Sequence, residues 1–314
     1  MPSQETRTTS HDIEVDAPPE TVFGIISNAV DWPLYFTPNL HVEQTPLDAG
    51  TERLAIWATA NGEVKHWTSK RWLDRDARRI RFRQEKSAAP VVSMGGEWVV
   101  AGLPGGRTSL TLLHDFQARD EAGLAWLETA TDRNSRTELA NIKALAERWD
   151  RLDRITSTFE DSRLIKGDPA AVYEFLRDAA RWPERLPHVS GMDLEESGEG
   201  NAVQRMRMET SAQDGSTHTT ESVRICLPPD RIVYKQVVTP ALMDAHTGEW
   251  SLEETAEGVL AVSRHSVVLN EEAVLRVLGE EATEKDALAY IRKALGANSS
   301  ATLGFADEYT RGES

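Results

Sequence analysis

Apolar and polar residues along the first half of the chain follow patterns that predict a strand and then a short helix. Residues 11–16 alternate as a β-strand does, and Pro18 and Pro19 stand where a helix begins. A helical stripe follows and ends near Ala29, because the residue before Pro33 is biased away from the α conformation. The apolar residues of the stripe are Val22, Phe23, Ile25 and Ile26.

The next hundred residues predict an antiparallel meander and a long helix. Residues 40–117 contain strand-length segments separated by turn signals at 48–50, 61–62 and 103–106. The pairs Gly95-Gly96 and Gly105-Gly106 are both interpreted as turn residues. Residues 132–154 then show the spacing of one amphipathic helix.

The same order of elements returns after an offset of about 150 residues, which is the signature of an internal repeat. Trp32-Pro33 returns as Trp182-Pro183, and a Gly-Glu-Trp segment ends at both Trp98 and Trp250. Ordered matches of this kind predict two homologous domains, at residues 1–154 and 155–314. The second copy departs at residues 271–297, interpreted as an added helical insertion before a final helix around residues 299–309.

Strand, short helix, meander and long helix make an α+β unit in which the sheet needs a cover on its concave face. The long helix is the candidate for that cover. This order is that of the helix-grip arrangement of START and Bet v 1-like proteins, in which a curved antiparallel sheet wraps the last helix and leaves an internal cavity. We therefore expect two tandem helix-grip domains, each able to enclose a small apolar molecule.

Composition narrows the classes of partner. The 314 residues carry a net charge of −16 with pI ≈ 5.0, which argues against a protein that binds nucleic acid or an anionic membrane. No stretch has the pattern of a signal peptide or a membrane span, so a cytoplasmic location is expected. The lone cysteine, Cys226, is interpreted as a core residue. No Cys/His spacing indicates a metal site, and no nucleotide or hydrolase motif is present.

A repeated arginine is the first candidate for chemistry. Strand alternation places Trp67, Ser69 and Arg71 on one face, and the second copy matches this triple with Thr220, Ser222 and Arg224. An outward arginine would only be a solvated charge. An inward arginine would bring a permanent charge and five donors into an apolar cavity, where it could hold a ketone or enolate oxygen.

A repeated histidine is the second candidate. His114 shares a strand face with Leu110, Leu112 and Phe116, so it should point inward, and His265 is its counterpart. A buried histidine is either a hydrogen-bonded core residue or a proton-transfer group. The aromatic and polar candidates for a pocket wall are Trp98, Trp250, Met94 and His246, with packing as the alternative for the two tryptophans.

Four features together resemble the di-domain aromatase/cyclases of bacterial type II polyketide synthases. They are the Trp-Pro step, the Ser-x-Arg strands, the tryptophan four residues after Met94 or His246, and the helix of residues 134–143. The resemblance covers nearly the whole chain twice. In the second copy, residues 298–305 depart from the family's helix pattern, which puts the floor of that pocket in question.

The resemblance implies an enzyme that closes and aromatises the first ring of an acyl-carrier-bound poly-β-ketone, with C7–C12 regiochemistry, by aldol condensation and dehydration. It implies catalytic roles for the repeated arginines and histidines, binding roles for Trp67, Ser69, Met94 and Trp98 and for Ser222, His246 and Trp250, and no cofactor or metal. Its partners would be the acyl carrier protein and other synthase components. A non-catalytic carrier of a hydrophobic molecule is the main alternative, because the same fold serves both. An interaction module with filled cavities is the third.

Overall fold

The computed structural model describes residues 6–60, 62–87, 90–197, 202–211 and 217–312. Of the predicted turn residues, Asn61 lies outside this part. The chain divides into two compact units, Met1–Arg151 (unit 1) and Leu152–Ser314 (unit 2).

Unit 1 has the predicted order of elements. Its short helices are α1 (Pro19–Ser27), a 3-10 turn (Ala29–Asp31) and α2 (Trp32–Tyr35), and its long helix α3 (Glu121–Ala146) is followed by α4 (Trp149–Ile155), which runs across the division between the units. Its strands are β1 (Arg7–Val15), β2 (Asn39–Asp48), β3 (Thr51–Ala60), β4 (Glu63–Asp74), β5 (Arg79–Gln84), β6 (Val91–Leu103) and β7 (Arg107–Ala118).

Unit 2 repeats this order. Its helices are α5 (Pro169–Arg177), a 3-10 turn (Ala179–Arg181), α6 (Trp182–Arg185), a 3-10 turn (Glu271–Ala273), α7 (Val274–Leu278) and α8 (Glu284–Arg311). Its strands are β8 (Thr156–Ile165), β9 (Val189–Ser197), β10 (Val203–Ser211), β11 (Thr217–Leu227), β12 (Arg231–Val238), β13 (Met243–Thr255) and β14 (Gly258–Leu269).

Each unit is built on a seven-stranded sheet of neighbouring antiparallel strands. The strand orders are β1-β7-β6-β5-β4-β3-β2 and β8-β14-β13-β12-β11-β10-β9, so the first strand of each unit pairs with its last. The long helices α3 and α8 pack on the first and last strands of their own sheets. Leu110, Leu112 and Phe116 on β7 are fully buried, as strand alternation predicts. The α+β helix-grip prediction is therefore confirmed for both units.

The long helix of unit 1 begins earlier than the sequence pattern predicts. Helix α3 starts at Glu121 rather than at residue 132, and the Asp120 side chain caps it by accepting a hydrogen bond from Gly123 N at 2.7 Å. Gly123 obscures this start because glycine is a poor helix former. The structure uses it for close approach, since a Cβ there would lie 2.9 Å from Pro90 Cβ.

The insertion predicted for residues 271–297 is also different. Only a 3-10 turn and the short helix α7 are added, because residues from Glu284 onward already belong to the single 28-residue helix α8. That helix begins with a capping box in which Thr283 and Asp286 bond each other's backbone N–H. The final helix predicted for residues 299–309 is thus the C-terminal part of α8.

The interpretation of Gly95-Gly96 as a turn is wrong, whereas Gly105-Gly106 do lie in the β6–β7 turn with φ of +82° and +76°. Gly96 lies within β6, where a Cβ would come within 2.6 Å of the Phe82 ring and 2.1 Å of the Leu113 carbonyl oxygen. Gly248 has the same function in unit 2, because a Cβ there would come within 2.2 Å of the Tyr234 ring. The glycine of each Gly-Glu-Trp segment therefore makes room for a ring on the neighbouring strand.

Candidate functional site

The predicted site residues share the face of each sheet that meets the long helix. Residues directly opposite in an antiparallel pair point to the same side. One row of such residues in unit 2 is Gln204, Arg224, Tyr234, Gly248, His265 and Phe159, and the next is Met206, Ser222, Gln236, His246 and Val267. His265 contacts Ser299 of α8, which identifies this side as the inner face of the sheet.

Arg71 is buried at 3% exposure and points inward, which decides between the two orientations that the sequence left open. Its guanidinium is already paired within the protein. Its Nε donates to Glu52 Oε1 at 2.7 Å, and its Nη2 also contacts that oxygen. Its Nη1 and Nη2 donate to the carbonyls of Ile26 and Ser27, at 2.9 and 2.7 Å. These carbonyls end α1, where unsatisfied C=O groups favour a cation. All three guanidinium nitrogens of Arg71 are thus engaged by the protein.

Arg224 occupies the same place in unit 2 with fewer partners. Its Nη2 donates to Leu176 O at 2.5 Å and its Nη1 to Arg177 O at 3.5 Å, at the end of α5. Its guanidinium lies 5.0 Å from the Trp182 ring centre. Within the described part of the chain, its Nε has no hydrogen-bond partner. Burial is the main cause that lowers the pKa of Arg224 from its ordinary value.

Substitutions at two paired positions explain this difference. Glu52 of unit 1 is replaced by Gln204, and the residue paired with it on the neighbouring strand, Pro46, is replaced by Glu196. In unit 1, Gln44 donates to Glu52 at 2.6 Å. Glu196 accepts from Gln204 at 2.7 Å and from Arg177 at 2.5 Å. The carboxylate of unit 2 therefore neutralises Arg177 instead of the inward arginine.

His114 lies where the sequence predicts, between the sheet and the long helix. Its Nδ1 is 3.4 Å from Ser135 Oγ on α3, and its ring meets the edge of Phe82 at 5.6 Å. Burial, and secondarily the nearby His11, lower the pKa of His114 to about 4. The imidazole is consequently neutral at pH 7 and able to accept a proton.

His265 belongs to a larger polar cluster. Its Nδ1 lies 3.0 Å from His246 Nε2 and 3.1 Å from Tyr234 Oη, and its Nε2 lies 2.7 Å from Ser299 Oγ and 3.2 Å from Ser263 Oγ. Burial lowers the pKa of His265 to about 4, while Asp161 opposes that shift. Burial also lowers the pKa of His246 well below its ordinary value. Both rings are neutral at pH 7.

The remaining candidates in unit 1 line the same face. Trp67 packs on the cluster of Leu54 and Ile56, Met94 packs near Phe116, and Trp98 is buried at 5% exposure. The buried Ser69 donates its hydroxyl to the Arg83 carbonyl at 3.1 Å.

In unit 2, Ser222 is buried beside Gln236, and Trp250 belongs to the core that includes Val172 and Leu303. Cys226 belongs to that core too, as the sequence predicts.

Sequence reasoning missed several inner-face groups that contact the candidates. These are Glu52, Ser135, Tyr234, Ser263 and Ser299. A signal for Tyr234 was present, because the repeat aligns it with Phe82 and so adds one hydroxyl to unit 2. Ser135 and Ser299 belong to no recognisable sequence motif, so only the packing of each long helix on its sheet shows that they lie beside the histidines.

The described residues contain no group of three or more His, Cys, Asp or Glu side chains placed to hold a metal ion. In the same ranges, no helix is long and apolar enough to cross a membrane.

The chain is similar to known proteins along almost its whole length. The family described as polyketide cyclase / dehydrase and lipid transport matches residues 6–147 and again residues 156–298. The granaticin polyketide synthase bifunctional cyclase/dehydratase of Streptomyces violaceoruber is 42% identical over 310 residues, covering 98% of this chain and 95% of that protein. The actinorhodin polyketide synthase bifunctional cyclase/dehydratase of Streptomyces coelicolor is 44% identical over 302 residues, covering 93% of each.

Solved structures extend the likeness to the whole fold. The di-domain ARO/CYC BexL, from the BE-7585A biosynthetic pathway, has a TM-score of 0.88 at 46% identity, covering 97% of this chain and 98% of that one. The di-domain ARO/CYC StfQ, from the steffimycin pathway, has a TM-score of 0.86 at 32% identity, covering 96% and 98%.

The fold and inner-face sites thus define a tandem helix-grip protein. The chain belongs to the polyketide cyclase / dehydrase family, in its di-domain form, and is an enzyme of the cyclase/dehydratase class.

Proposed function

We propose that this enzyme closes and aromatises the first ring of an acyl-carrier-bound poly-β-ketone, with C7–C12 regiochemistry, by aldol condensation followed by dehydration. The observation that carries the proposal is the repeated buried imidazole. His114 and His265 each lie on an inner sheet face beside a hydroxyl of the long helix. The relatives that match almost the full length are bifunctional cyclase/dehydratases of polyketide synthases.

The proposed steps transfer protons only. A neutral imidazole removes a proton from a carbon between two carbonyls, the resulting enolate carbon attacks a distant carbonyl, and the imidazolium returns the proton to the new alkoxide. Loss of water then removes a second carbon proton and the hydroxyl, leaving a double bond. Low pKa values keep both histidines unprotonated at pH 7, in the form that accepts the first proton.

We assign the stabilisation of enolate charge first to Arg224. Its Nε has no partner in the described chain, and it has no carboxylate of its own as Arg71 has in Glu52. A fixed cation in a buried site stabilises developing negative charge without reorganisation. For Arg71 we propose a supporting catalytic role, in which it fixes the end of α1 over the sheet of unit 1.

The other candidates are proposed as the walls of the two cavities. Trp67, Met94 and Trp98, with Ser69, would hold the substrate in unit 1. Ser222, His246 and Trp250 would do so in unit 2. A flexible poly-ketone can fold in several ways, so confinement that favours one fold contributes to the rate as well as to regiochemistry.

We further propose that the chain works with an acyl carrier protein and other components of a type II polyketide synthase. The curated relatives are parts of polyketide synthases by name. The substrate would then reach the inner face as a tethered chain.

The test is product analysis of a reconstituted minimal synthase, with a C9 ketoreductase present or absent, comparing the wild type with Arg71→Ala and Arg224→Ala. We expect a new aromatic product that Arg224→Ala reduces by about 10²-fold or more and Arg71→Ala reduces less. Arg207→Ala, an arginine about half exposed on β10, is the matched control. If the products never change on adding the enzyme, the cyclase proposal fails and the carrier alternative replaces it.

A further inference from the structure

At four equivalent positions the inner face of unit 1 has an apolar side chain where that of unit 2 has a polar one. The pairs are Trp67 and Thr220, Phe82 and Tyr234, Met94 and His246, and Leu112 and Ser263. The pair Thr9 and Phe159, opposite the shared histidine, differs in the opposite sense. Even so, His114 has one side chain within hydrogen-bond distance, that of Ser135, whereas His265 has four.

Three of these polar residues, His246, Tyr234 and Ser263, lie within hydrogen-bond distance of His265. His246 Nε2 lies 3.0 Å from His265 Nδ1, and His265 Nε2 lies 2.7 Å from Ser299 Oγ. The two rings are roughly parallel, with an interplanar angle of 29°. If His246 carries its hydrogen on Nε2, it donates to His265, which donates to Ser299 in turn. Nδ1 of His246 then bears a free lone pair.

That nitrogen is buried without a partner. His246 is 2% exposed, and its Nδ1 has no hydrogen-bond partner among the described residues. Two further atoms of the same inner face, Thr220 Oγ1 and Gln236 Oε1, also have no hydrogen-bond partner among the described residues. Buried polar atoms are normally paired, because leaving one unpaired costs stability. With Arg224 Nε and Gln204 Oε1, five such atoms of this face have no partner in the described chain, which indicates a site completed by an oxygen-bearing ligand.

We propose that unit 2 performs the dehydration, and that Nδ1 of His246 is the atom that takes the carbon proton and returns a proton to the leaving hydroxyl. This assignment rests on the proposed cyclase/dehydratase function and deepens it. His265 holds the charge between the two transfers. The matching position of unit 1, Met94, has no group that can accept or donate a proton.

His246 and His265 together can accept and return every proton that the dehydration moves. His246 Nδ1 accepts a proton from the substrate carbon while its Nε2 proton passes to His265 Nδ1, so that His265 becomes the imidazolium. His246 now carries its hydrogen on Nδ1 and donates it to the substrate hydroxyl, which leaves as water as the carbon–carbon double bond forms. In the same step His265 returns its extra proton to His246 Nε2, so that no anionic ring forms and both rings regain their starting state.

Two neighbours support the charged state of His265. Tyr234 Oη, 3.1 Å from its Nδ1, can accept a hydrogen bond from the imidazolium, and Gly248 makes room for the tyrosine ring. Asp161, which also forms an ion pair with Arg292 at 2.8 Å, favours the protonated ring. Tyr234 is therefore a positioning residue in this proposal, because it acts through His265.

The experiment compares His246→Met and Tyr234→Phe, which install the residues of unit 1, in the reconstituted synthase with the full-length enzyme. We expect His246→Met to slow release of water by about 10²-fold or more, so that a cyclised product heavier by one water accumulates. Tyr234→Phe should lower kcat for the same step with KM little changed. His66→Met makes the same substitution on the outer face of unit 1, where His66 stacks on Trp57, and should leave the products unchanged.

A second measurement does not depend on variants that fold. Nitrogen NMR of the wild-type enzyme labelled with ¹⁵N-histidine should show His246 protonated on Nε2 and bare on Nδ1. A hydrogen on Nδ1 in the resting enzyme would overturn the proposed relay.

The outcomes separate this inference from the proposed function. Dehydration by His246→Met at the wild-type rate overturns the inference while the cyclase function stands. Loss of ring closure together with dehydration in a folded His246→Met enzyme also overturns the assignment of one step to unit 2. If the wild type itself forms no aromatic product, the proposed function fails.

Discussion

Unit 1 and unit 2 have the same fold, and each buries an arginine at the same position of its sheet, but the two arginines have different partners. In unit 1 the carboxylate of Glu52 neutralises Arg71. In unit 2 that position is Gln204, and Arg224 keeps an unpartnered Nε in the described chain. A repeated residue can therefore be mainly structural in one copy and keep free hydrogen-bonding capacity in the other, depending on one neighbouring side chain.

The histidines show the same division. His114 has one hydroxyl neighbour and the edge of Phe82, whereas His265 has a second histidine, a tyrosine and two serines around it. Duplication thus preserved the core of the site while changing its polarity. The four predictions below test that contrast, beginning with the largest expected effect.

Glu52→Gln should have the largest effect on stability. It removes the carboxylate from a buried ion pair and leaves Arg71 charged without a counter-ion, so we expect a loss of about 3–5 kcal/mol. Urea unfolding, followed by hydrogen exchange read separately in peptides of each unit, measures it. The matched control is Glu196→Gln in unit 2, whose ion pair with Arg177 is partly exposed. An equal loss from both variants would remove the contrast between the units.

Gly96→Ala should destabilise unit 1 by about 3 kcal/mol and more than Gly248→Ala destabilises unit 2. The atom nearest to the added Cβ is a backbone oxygen, that of Leu113, in unit 1 and the Tyr234 ring in unit 2, and a backbone atom yields less readily than a ring. Thermal unfolding of both variants gives the order. Phe82→Leu combined with Gly96→Ala should recover little stability, because the backbone clash remains. Full recovery would instead identify the ring as the obstacle.

Acid should weaken unit 2 through its buried histidines. The pKa of His265 is lowered from 6.5 to about 4 in the folded state, so the unfolded chain binds the proton first as pH falls below 6.5. The stabilising effect of the neutral ring is complete above pH 6.5 and disappears toward pH 4. From pH 7 to 5 we expect the wild type to lose about 2 kcal/mol more than His265→Gln. Urea unfolding at the two pH values measures it, and parallel losses would contradict the burial effect.

The smallest effects concern the starts of the long helices. Asp120→Ala removes the cap of α3 and Thr283→Ala breaks the capping box of α8, so each should cost about 1 kcal/mol. Because Asp286 also bonds the Thr283 backbone N–H, the second loss should be partly offset. Hydrogen exchange in the first turn of each helix reports the change. Unaltered exchange in both variants would show that packing alone fixes these ends.

Much of the fold was predictable because it depends on local patterns that occur twice. Strand alternation predicted an inward His114, and the repeat transferred that placement to His265, whereas the direction of Arg71 and Arg224 was decided only by the structure. The ends of the helices were harder to predict, since α3 begins beside Gly123 and α8 includes most of the residues predicted as an insertion. In both places a side chain's contacts with distant segments outweigh its local preference.

Periodicity and self-similarity lie along the chain, so the order of amino acids was enough to predict the internal repeat, the helix-grip order of elements and the inward histidines. The partners that the arginines and histidines meet depend instead on the folded chain. Glu52, Tyr234 and Ser299 lie 19, 31 and 34 positions from Arg71, His265 and His265 respectively. Sheet register and helix packing bring them together, and the charge or hydrogen bond that each supplies then determines what the arginine or histidine can do.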